Sequence, residues 1–169
     1  RTLSPTQVKN LRRISEQSLF LSEDSRVTPE INSDTVQLVV TSPPFLDVVK
    51  YAQDNWLRCW FNAIDLNTIT SKITLLRSTE EWSAFIGEVF KELYRVTRSG
   101  GWVAFEVGEV RQGTVNLDEI VVPLGLEAGF EVQGILINAQ KFTKTANIWG
   151  VSNNAKGTNS NRIALFQKI

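Results

Sequence analysis

The stretch that decides the fold is Val36-Gln-Leu-Val-Val-Thr-Ser-Pro-Pro-Phe45. Its first half, Val36 to Val40, is almost entirely apolar and β-branched, which is typical of a strand buried on both faces of a parallel sheet. Its second half, Thr41 to Phe45, contains two consecutive prolines, which fix φ and restrict the residue before each of them to extended conformations. The sequence therefore predicts a buried strand that ends in a stiff turn.

Further elements on both sides of this stretch alternate between helix and strand. Apolar residues recur every three or four positions from Trp82 to Val96, which predicts an amphipathic helix. Ser99-Gly100-Gly101 is expected to end that helix, because glycine readily adopts left-handed conformations. Trp102 to Val107 predicts a second buried strand. The other predicted helices lie within residues 1–17, 51–66 and 117–128, and the other predicted strands at 18–21, 132–137 and 162–166.

This order of elements indicates a single α/β domain over residues 1–169, built on a mostly parallel sheet. The last two predicted strands have no helix between them, so we expect them to pair antiparallel at one edge. The polar stretch 138–161 lies between these strands. Since a loop of that length inside a compact domain is usually functional or disordered, we interpret it as a long substrate-side loop.

The composition excludes several classes of function. The chain has no histidine, which removes Ser-His and Cys-His nucleophile pairs and most zinc sites. Its formal net charge of zero argues against binding to nucleic acid mainly through counterion release, but is compatible with a local basic face. The lone Cys59 cannot form an internal disulfide, which favours a reducing, cytoplasmic setting. No apolar run approaches the roughly 20 residues that a membrane span needs.

The turn from Thr41 to Phe45 has the chemistry to hold a planar ring that carries an amino group. In open α/β sheets, ligands bind beyond the carboxyl ends of strands, which is where this turn is expected. The Ser42 hydroxyl and the Pro43 carbonyl can accept hydrogen bonds from an exocyclic NH2, and Phe45 can stack on the ring, a contact worth about 1–3 kcal/mol for a base. Accepting both N–H groups would free the nitrogen lone pair to attack a sulfonium methyl directly. The alternative is that the turn only terminates a strand.

The same residues resemble the catalytic motif of the S-adenosylmethionine-dependent amino-methyltransferases that act on nucleic-acid bases, (Asp/Asn/Ser)-Pro-Pro-(Tyr/Phe). The Thr-Ser-Pro-Pro-Phe form looks like that of the N4-cytosine DNA methyltransferases, since the N6-adenine enzymes typically carry Asp first. The stretch from Glu92 to Gly108 is similar to the helix, Gly-Gly turn and strand that follow the motif in many of these enzymes. The resemblance implies a Rossmann-like methyltransferase sheet, S-adenosylmethionine as cofactor and DNA as partner.

The resemblance also implies roles for individual residues. Asp24, after the predicted strand 18–21, looks like the polar residue that meets the cofactor adenine in this fold. Glu106 lies at the end of the second buried strand, where it would line the cleft or form a structural ion pair. The candidate catalytic residues are Ser42, Pro43, Pro44 and Phe45, and the candidate cofactor-binding residues are Asp24, Thr41 and Glu106.

Polar residues after the turn and in the long loop are candidates for contact with the substrate. Asn and Arg side chains can contact base edges through two hydrogen bonds, and Lys can contact phosphate. The alternative is a solvated loop, because Asn and Gly also favour turns. The candidate substrate-binding residues are Asp47, Tyr51, Lys144, Asn153, Asn154, Asn159, Asn161 and Arg162.

The glycine-rich cofactor loop that follows the first strand in this family is absent from the sequence. Gly100-Gly101 follows a helix and precedes a strand, and Gly108 with Gly113 lacks the pattern. In the N4-cytosine group the catalytic segment often precedes the cofactor segment. We therefore expect an incomplete fold, with the loop on a missing segment or on a partner chain. The absence of methionine agrees with a fragment, unless methionines are missing from the sequence.

Three other functions fit parts of the pattern. An N6-adenine or RNA-base amino-methyltransferase would share the chemistry and differ in the residue before Pro43. A non-catalytic binding domain would have kept the fold and lost the cofactor. A protein glutamine methyltransferase is the third alternative, because Asn-Pro-Pro-Tyr-like motifs occur there, but Ser42 and the loop rich in Asn argue against it.

Overall fold

The computed structural model describes residues 2–44, 51–68, 76, 78–110, 115–139 and 160–169. The helices are α1 (Pro5–Gln17), α2 (Tyr51–Phe61), α3 (Thr79–Val96) and α4 (Leu117–Glu127). The strands are β1 (Val36–Thr41), β2 (Thr97–Val110), β3 (Val115–Asn116), β4 (Glu131–Ala139) and β5 (Ser160–Gln167).

The strands form one open sheet in the order β1-β2-β5-β4, and the short β3 pairs with the end of β2. β1 and β2 are parallel, with Thr41 opposite Phe105 at the end of the ladder. β5 lies antiparallel to both β2 and β4. Helices α2 and α3 lie between the parallel strands β1 and β2, whereas no described helix separates the antiparallel strands β4 and β5. The predicted α/β class and the antiparallel pairing of the last two strands at one edge are confirmed, and β5 lies between β2 and β4.

Helix starts follow the local sequence. Ser4 caps α1 through a reciprocal pair of hydrogen bonds with Gln7, and Pro5 occupies the first turn. Ser78 caps α3, because its hydroxyl accepts a hydrogen bond from the backbone N–H of Glu81 at 3.1 Å. The predicted helices within 1–17, 82–96 and 117–128 are therefore confirmed, and the one predicted at 51–66 ends earlier, at Phe61.

Three predictions are wrong. β1 is not buried on both faces, because its residues are exposed or half-buried and Val40 is 74% exposed. Residues 18–21 form no strand, although their composition suits one, because no described strand pairs with them and Phe20 is 89% exposed. The glycine pair does not end α3 either, since the helix stops at Val96 and Thr97 already belongs to β2. Gly100, at φ +73°, instead lies in an irregularity of the β1–β2 ladder between the pairs of Thr97 and Trp102.

One face of the sheet, which we call the covered face, packs against α3 and α4. Phe90 of α3 has its ring centre 4.9 Å from that of Phe105 and 5.1 Å from that of Phe166. Gly125 of α4 lies so close to Phe166 that a Cβ there would overlap the ring. The buried core comprises Trp82, Ile86, Phe90, Val103, Phe105, Val107, Leu117, Val121, Phe130, Ala164 and Phe166.

The alternate residues of the same strands form the opposite face, which we call the open face. Val40 is 74% exposed, and Leu38 and Leu136 are each 57% exposed. Ladder register places Leu38 beside Trp102 and Val40 beside Ala104. The open face carries Leu38, Val40, Trp102, Ala104, Glu106, Leu136, Ile163 and Leu165. Most of these side chains are apolar, as is typical of a surface that is buried by another segment or chain.

A polar clamp fixes the loop that leads into β1. The Arg95 guanidinium binds both oxygens of Glu92, at 2.6 and 2.8 Å, and donates to the carbonyls of Thr28 and Ile31. Glu92 also accepts from the N–H and hydroxyl of Thr28. The hydrogen bond from Arg95 lowers the pKa of Glu92 to about 2. The start of β1 is thereby tied to α3.

Candidate active site at the carboxyl end of β1

The Ser42-Pro43-Pro44 turn follows β1 directly, at the edge of the sheet where β1 and β2 both approach their carboxyl ends. Thr41 is half-buried and held in the ladder opposite Phe105. Ser42 and Pro44 are exposed, whereas Pro43 is half-buried. Two fixed φ angles next to a hydrogen-bonded strand make the turn stiff. The Ser42 hydroxyl is therefore presented to solvent by a rigid support.

Trp82 anchors the far end of this turn. Its indole N–H donates a hydrogen bond to the Pro44 carbonyl at 3.1 Å, and its side chain is completely buried in the first turns of α3. Sequence reasoning treated Trp82 only as an apolar position of an amphipathic helix. The available signal was chemical, because a buried tryptophan usually needs an acceptor for its N–H.

Glu106 lies on the open face of β2, half-buried and opposite Ile163 of β5. Because Thr41 pairs with Phe105, Ser42 and Glu106 are the next residues of two adjacent parallel strands. The fold thus brings a hydroxyl and a carboxylate from distant parts of the sequence to one edge. Side chains at this edge are suited to bind a polar ligand above the sheet.

Asp24 lies in the exposed loop before β1, in a local ion pair. Its carboxylate binds the Arg26 guanidinium at 2.6 Å and also accepts the backbone N–H of Arg26. The side-chain hydrogen bond from Arg26 lowers the pKa of Asp24 below its ordinary value. The same guanidinium lies 5.0 Å from the centre of the Phe85 ring on α3. Asp24 is therefore fixed as an anion next to α3.

Arg162 is engaged on the covered face. Its guanidinium binds Asp118 at 2.9 Å, and the two side chains are only 22% and 5% exposed. One carboxylate oxygen of Asp118 and the Nε of Arg162 are buried without a hydrogen-bond partner within the described part of the chain. Asn161, the preceding residue, is opposite Gly108 and Asn138. The two neighbouring candidates thus belong to opposite faces of the sheet.

The remaining candidates are less fully described. Tyr51 is the first residue of α2. The two ends of the predicted long loop, Asn138–Ala139 and Ser160–Asn161, extend β4 and β5. The candidates that lie outside the described residues are Phe45, Asp47, Lys144, Asn153, Asn154 and Asn159.

Across the described ranges, no three His, Cys, Asp or Glu side chains come together in a way that could hold a metal ion. In the same ranges, no helix is both long and apolar enough to cross a membrane. The described site offers a hydroxyl, backbone carbonyls and a carboxylate, which are groups that accept hydrogen bonds and bind positive charge.

Neither a protein-family model nor a curated protein matches the sequence. Solved structures do match the fold. The cytosine-N4-specific PvuII DNA methyltransferase superposes with a TM-score of 0.58 and 14% identity, over 90% of this chain and 49% of that protein. A protein from Thermus thermophilus assigned as a DNA modification methylase, in complex with S-adenosyl-L-methionine, superposes with a TM-score of 0.52 and 21% identity, over 86% of this chain and 53% of that one.

The [4+2]-cyclase SpnF has the same architecture, with a TM-score of 0.52 and 14% identity, over 99% of this chain and 65% of SpnF. The fold therefore does not prescribe a reaction. This chain spans about half the length of the methylases it matches. Its mixed sheet, with one parallel pair next to antiparallel strands and two helices on one face, is that of the methyltransferase fold.

Proposed function

We propose that this protein transfers a methyl group from S-adenosylmethionine to the exocyclic amino group of a DNA base, with N4 of cytosine as the preferred target. The observation that carries the proposal is the rigid Ser42-Pro43-Pro44 turn, exposed at the carboxyl end of β1 in a methyltransferase fold. The names of the PvuII and Thermus thermophilus proteins support both the reaction and DNA as substrate.

The turn would act by holding the amine. The Ser42 hydroxyl and the Pro43 carbonyl accept its two N–H groups, so the nitrogen lone pair is withdrawn from conjugation with the ring. Phe45 stacks on the base. The nitrogen then forms a bond to the methyl carbon while the carbon–sulfur bond breaks, and the amine loses one proton to solvent. No covalent enzyme intermediate is needed, so positioning supplies most of the rate enhancement.

S-adenosylmethionine supplies an electrophilic methyl group on a positively charged sulfonium. The donor set at this edge fits such a molecule in part. The half-buried carboxylate of Glu106 on the open face suits a cation or a ribose hydroxyl, whereas Thr41, opposite Phe105, belongs to the covered face. Asp24 is an anion near α3, paired with Arg26. The glycine-rich loop that would hold the rest of the molecule is absent from the sequence.

We propose that the glycine-rich cofactor loop lies on a further segment or on a partner chain. β1 ends the strand order, and its exposed Leu38 and Val40 give an apolar edge that another strand and helix would bury. The chain spans about half of the matched methylases, which agrees with this division. The cytoplasm is the proposed compartment, because the lone buried Cys59 is compatible with reducing conditions.

Transfer of labelled methyl groups tests the proposal. The full-length protein is incubated with labelled S-adenosylmethionine and with DNA or RNA, and the modified nucleoside is identified by mass spectrometry. We expect N4-methylcytosine in DNA. N6-methyladenine, or a methylated base in RNA only, would replace the cytosine assignment with the corresponding alternative.

Two serine variants connect the activity to the turn. Ser42→Ala is expected to lower kcat about 100-fold, since one of two acceptors for the amine is lost. Ser22→Ala, at an exposed serine in the loop before β1, is the matched control and should keep full activity. Equal activities of the two variants would remove Ser42 from the mechanism.

A non-catalytic binding domain is the second candidate. The absent glycine loop favours it, and SpnF demonstrates that proteins of this architecture carry out other reactions. Calorimetry with S-adenosylmethionine separates the two. A full-length protein that releases no heat with the cofactor and methylates neither DNA nor RNA would be a binding domain.

A further inference from the structure

Of the two proline carbonyls in the turn, that of Pro44 has a defined partner. The Pro44 carbonyl accepts the indole N–H of Trp82 at 3.1 Å. That indole is completely buried and part of the core cluster, so its N–H has a fixed direction. A carbonyl directed towards the core cannot also face a base that approaches from the solvent side. Pro43 is then left as the carbonyl of this turn available to the amine.

The hydrogen bond also limits the remaining freedom of the turn. Proline fixes φ at both positions, so the direction of the chain after them depends mainly on ψ. The Pro44 carbonyl shares a planar peptide unit with the following N–H, so fixing the carbonyl fixes that plane.

Helix α3 relates this anchor to the rest of the site. It begins at the Ser78 cap, carries Trp82 near its start and continues directly into β2, the strand that carries Glu106. Helix α3 therefore contacts the turn directly and leads into the strand that carries the carboxylate. Arg26, the partner of Asp24, contacts Phe85 of the same helix.

We propose that Trp82 is a positioning residue of the active site, which holds the Pro44 carbonyl towards the core so that the Pro43 carbonyl is correctly placed for the base. This role rests on the proposed methyl transfer. Trp82 touches neither the base nor the cofactor in this account, and acts only through the turn.

Indole hydrogen exchange tests the contact without reference to activity. The ring N–H groups of a 15N-labelled sample are followed by NMR. We expect the N–H of Trp82 to exchange at least about 100-fold more slowly than those of Trp56 and Trp60, whose side chains are exposed. Exchange of Trp82 at the rate of the exposed indoles would overturn the proposal.

Removal of the N–H alone tests the catalytic consequence. Trp82 is replaced by benzothienylalanine, in which sulfur takes the place of the N–H and the ring shape is retained, and Trp82→Phe is a second variant. We expect kcat of the full-length protein to fall about 10- to 100-fold in both, while KM for S-adenosylmethionine changes less than about threefold. The matched control is Phe90→Leu, which alters a buried ring of the same helix and should leave kcat within about twofold.

The outcomes separate the two proposals. An active wild-type protein whose benzothienylalanine variant keeps its kcat overturns the positioning role and leaves the proposed function intact. A wild-type protein without methyl transfer to any nucleic acid overturns the proposed function, and the positioning role of Trp82 with it. Equal losses of kcat in Phe90→Leu and the Trp82 variants would mean that the effect is only structural.

Discussion

The covered face and the open face of this sheet are built from alternate residues of the same strands, yet they have opposite environments. Phe90, Phe105 and Phe166 are almost completely buried on the covered side, whereas Val40 on the open side is 74% exposed. Both sides are apolar. The covered face therefore contains the buried core, and the open face is apolar but only half-buried or exposed. Stability should depend mainly on the covered face.

The largest expected difference between the faces concerns large side chains. Phe166→Ala should lower the free energy of unfolding by about 3–5 kcal/mol, because it leaves a cavity against Phe90 and the close Gly125. Leu136→Ala on the open face should cost less than about 0.5 kcal/mol. Urea denaturation followed by circular dichroism measures both. Similar losses would mean that the open face is packed in solution.

The next effect concerns the buried ion pair between Asp118 and Arg162 on the covered face. Asp118→Ala leaves the Arg162 guanidinium in a largely buried position without its partner. We expect a loss of about 2–4 kcal/mol, towards the lower end of the range for buried pairs because Arg162 keeps some contact with water. Glu88→Ala, which breaks the exposed pair with Lys91, is the control and should cost less than about 1 kcal/mol.

The hydrogen bonds by which Glu92 and Arg95 hold the loop before β1 should make the stability of the protein sensitive to acid. The pKa of Glu92 in the folded protein, about 2, lies below the ordinary value of 4.5, so its stabilisation is complete above the unfolded value and is lost as pH falls towards 2. By linkage, the lowered pKa of Glu92 contributes at most about 3 kcal/mol to the free energy of unfolding. Glu92→Gln should be less stable than wild type at pH 6, and the gap should narrow as pH falls from 4.5. A gap that stays constant with pH would contradict this account.

The smallest expected effect comes from one substitution made on both faces. Val40→Thr should change the free energy of unfolding by less than about 0.5 kcal/mol, because Val40 is exposed on the edge strand. Val103→Thr, on the neighbouring strand, puts a hydroxyl into the core and should cost about 1–3 kcal/mol. Thermal unfolding of the two variants measures the difference. A Val40→Thr variant as unstable as Val103→Thr would show that the edge of β1 is already covered.

Local patterns in the sequence were sufficient where neighbouring residues decide the outcome. The period of three and four from Trp82 to Val96 predicted a helix, and the β-branched run at Val36 to Val40 predicted a strand, and both elements are present. The burial predicted for that strand was wrong, because burial depends on what packs against its faces. The same reasoning failed at residues 18–21, because a strand requires a partner that composition does not reveal. It also failed at Gly100, where the glycine serves a strand irregularity and not the end of a helix.

The same difference between local and long-range interactions applies to the candidate site. The position of the Ser42-Pro43-Pro44 turn at the end of a strand was predictable, because two prolines and a preceding apolar run define it locally. The partners of Pro44 and Arg162 were not predictable. Trp82 and Asp118 lie 38 and 44 residues away along the chain, and each had another satisfactory explanation as an apolar helix position or an acid in a first helical turn.

By itself, the sequence determined the α/β class, the extended β1 and the stiffness of the turn after it, because backbone restriction and side-chain period act between neighbours. Only the tertiary structure decided that the Pro44 carbonyl faces Trp82 and that Arg162 lies in an ion pair on the covered face. These contacts depend on how strands align and helices pack, and the burial that fixes them exists only once distant segments have come together.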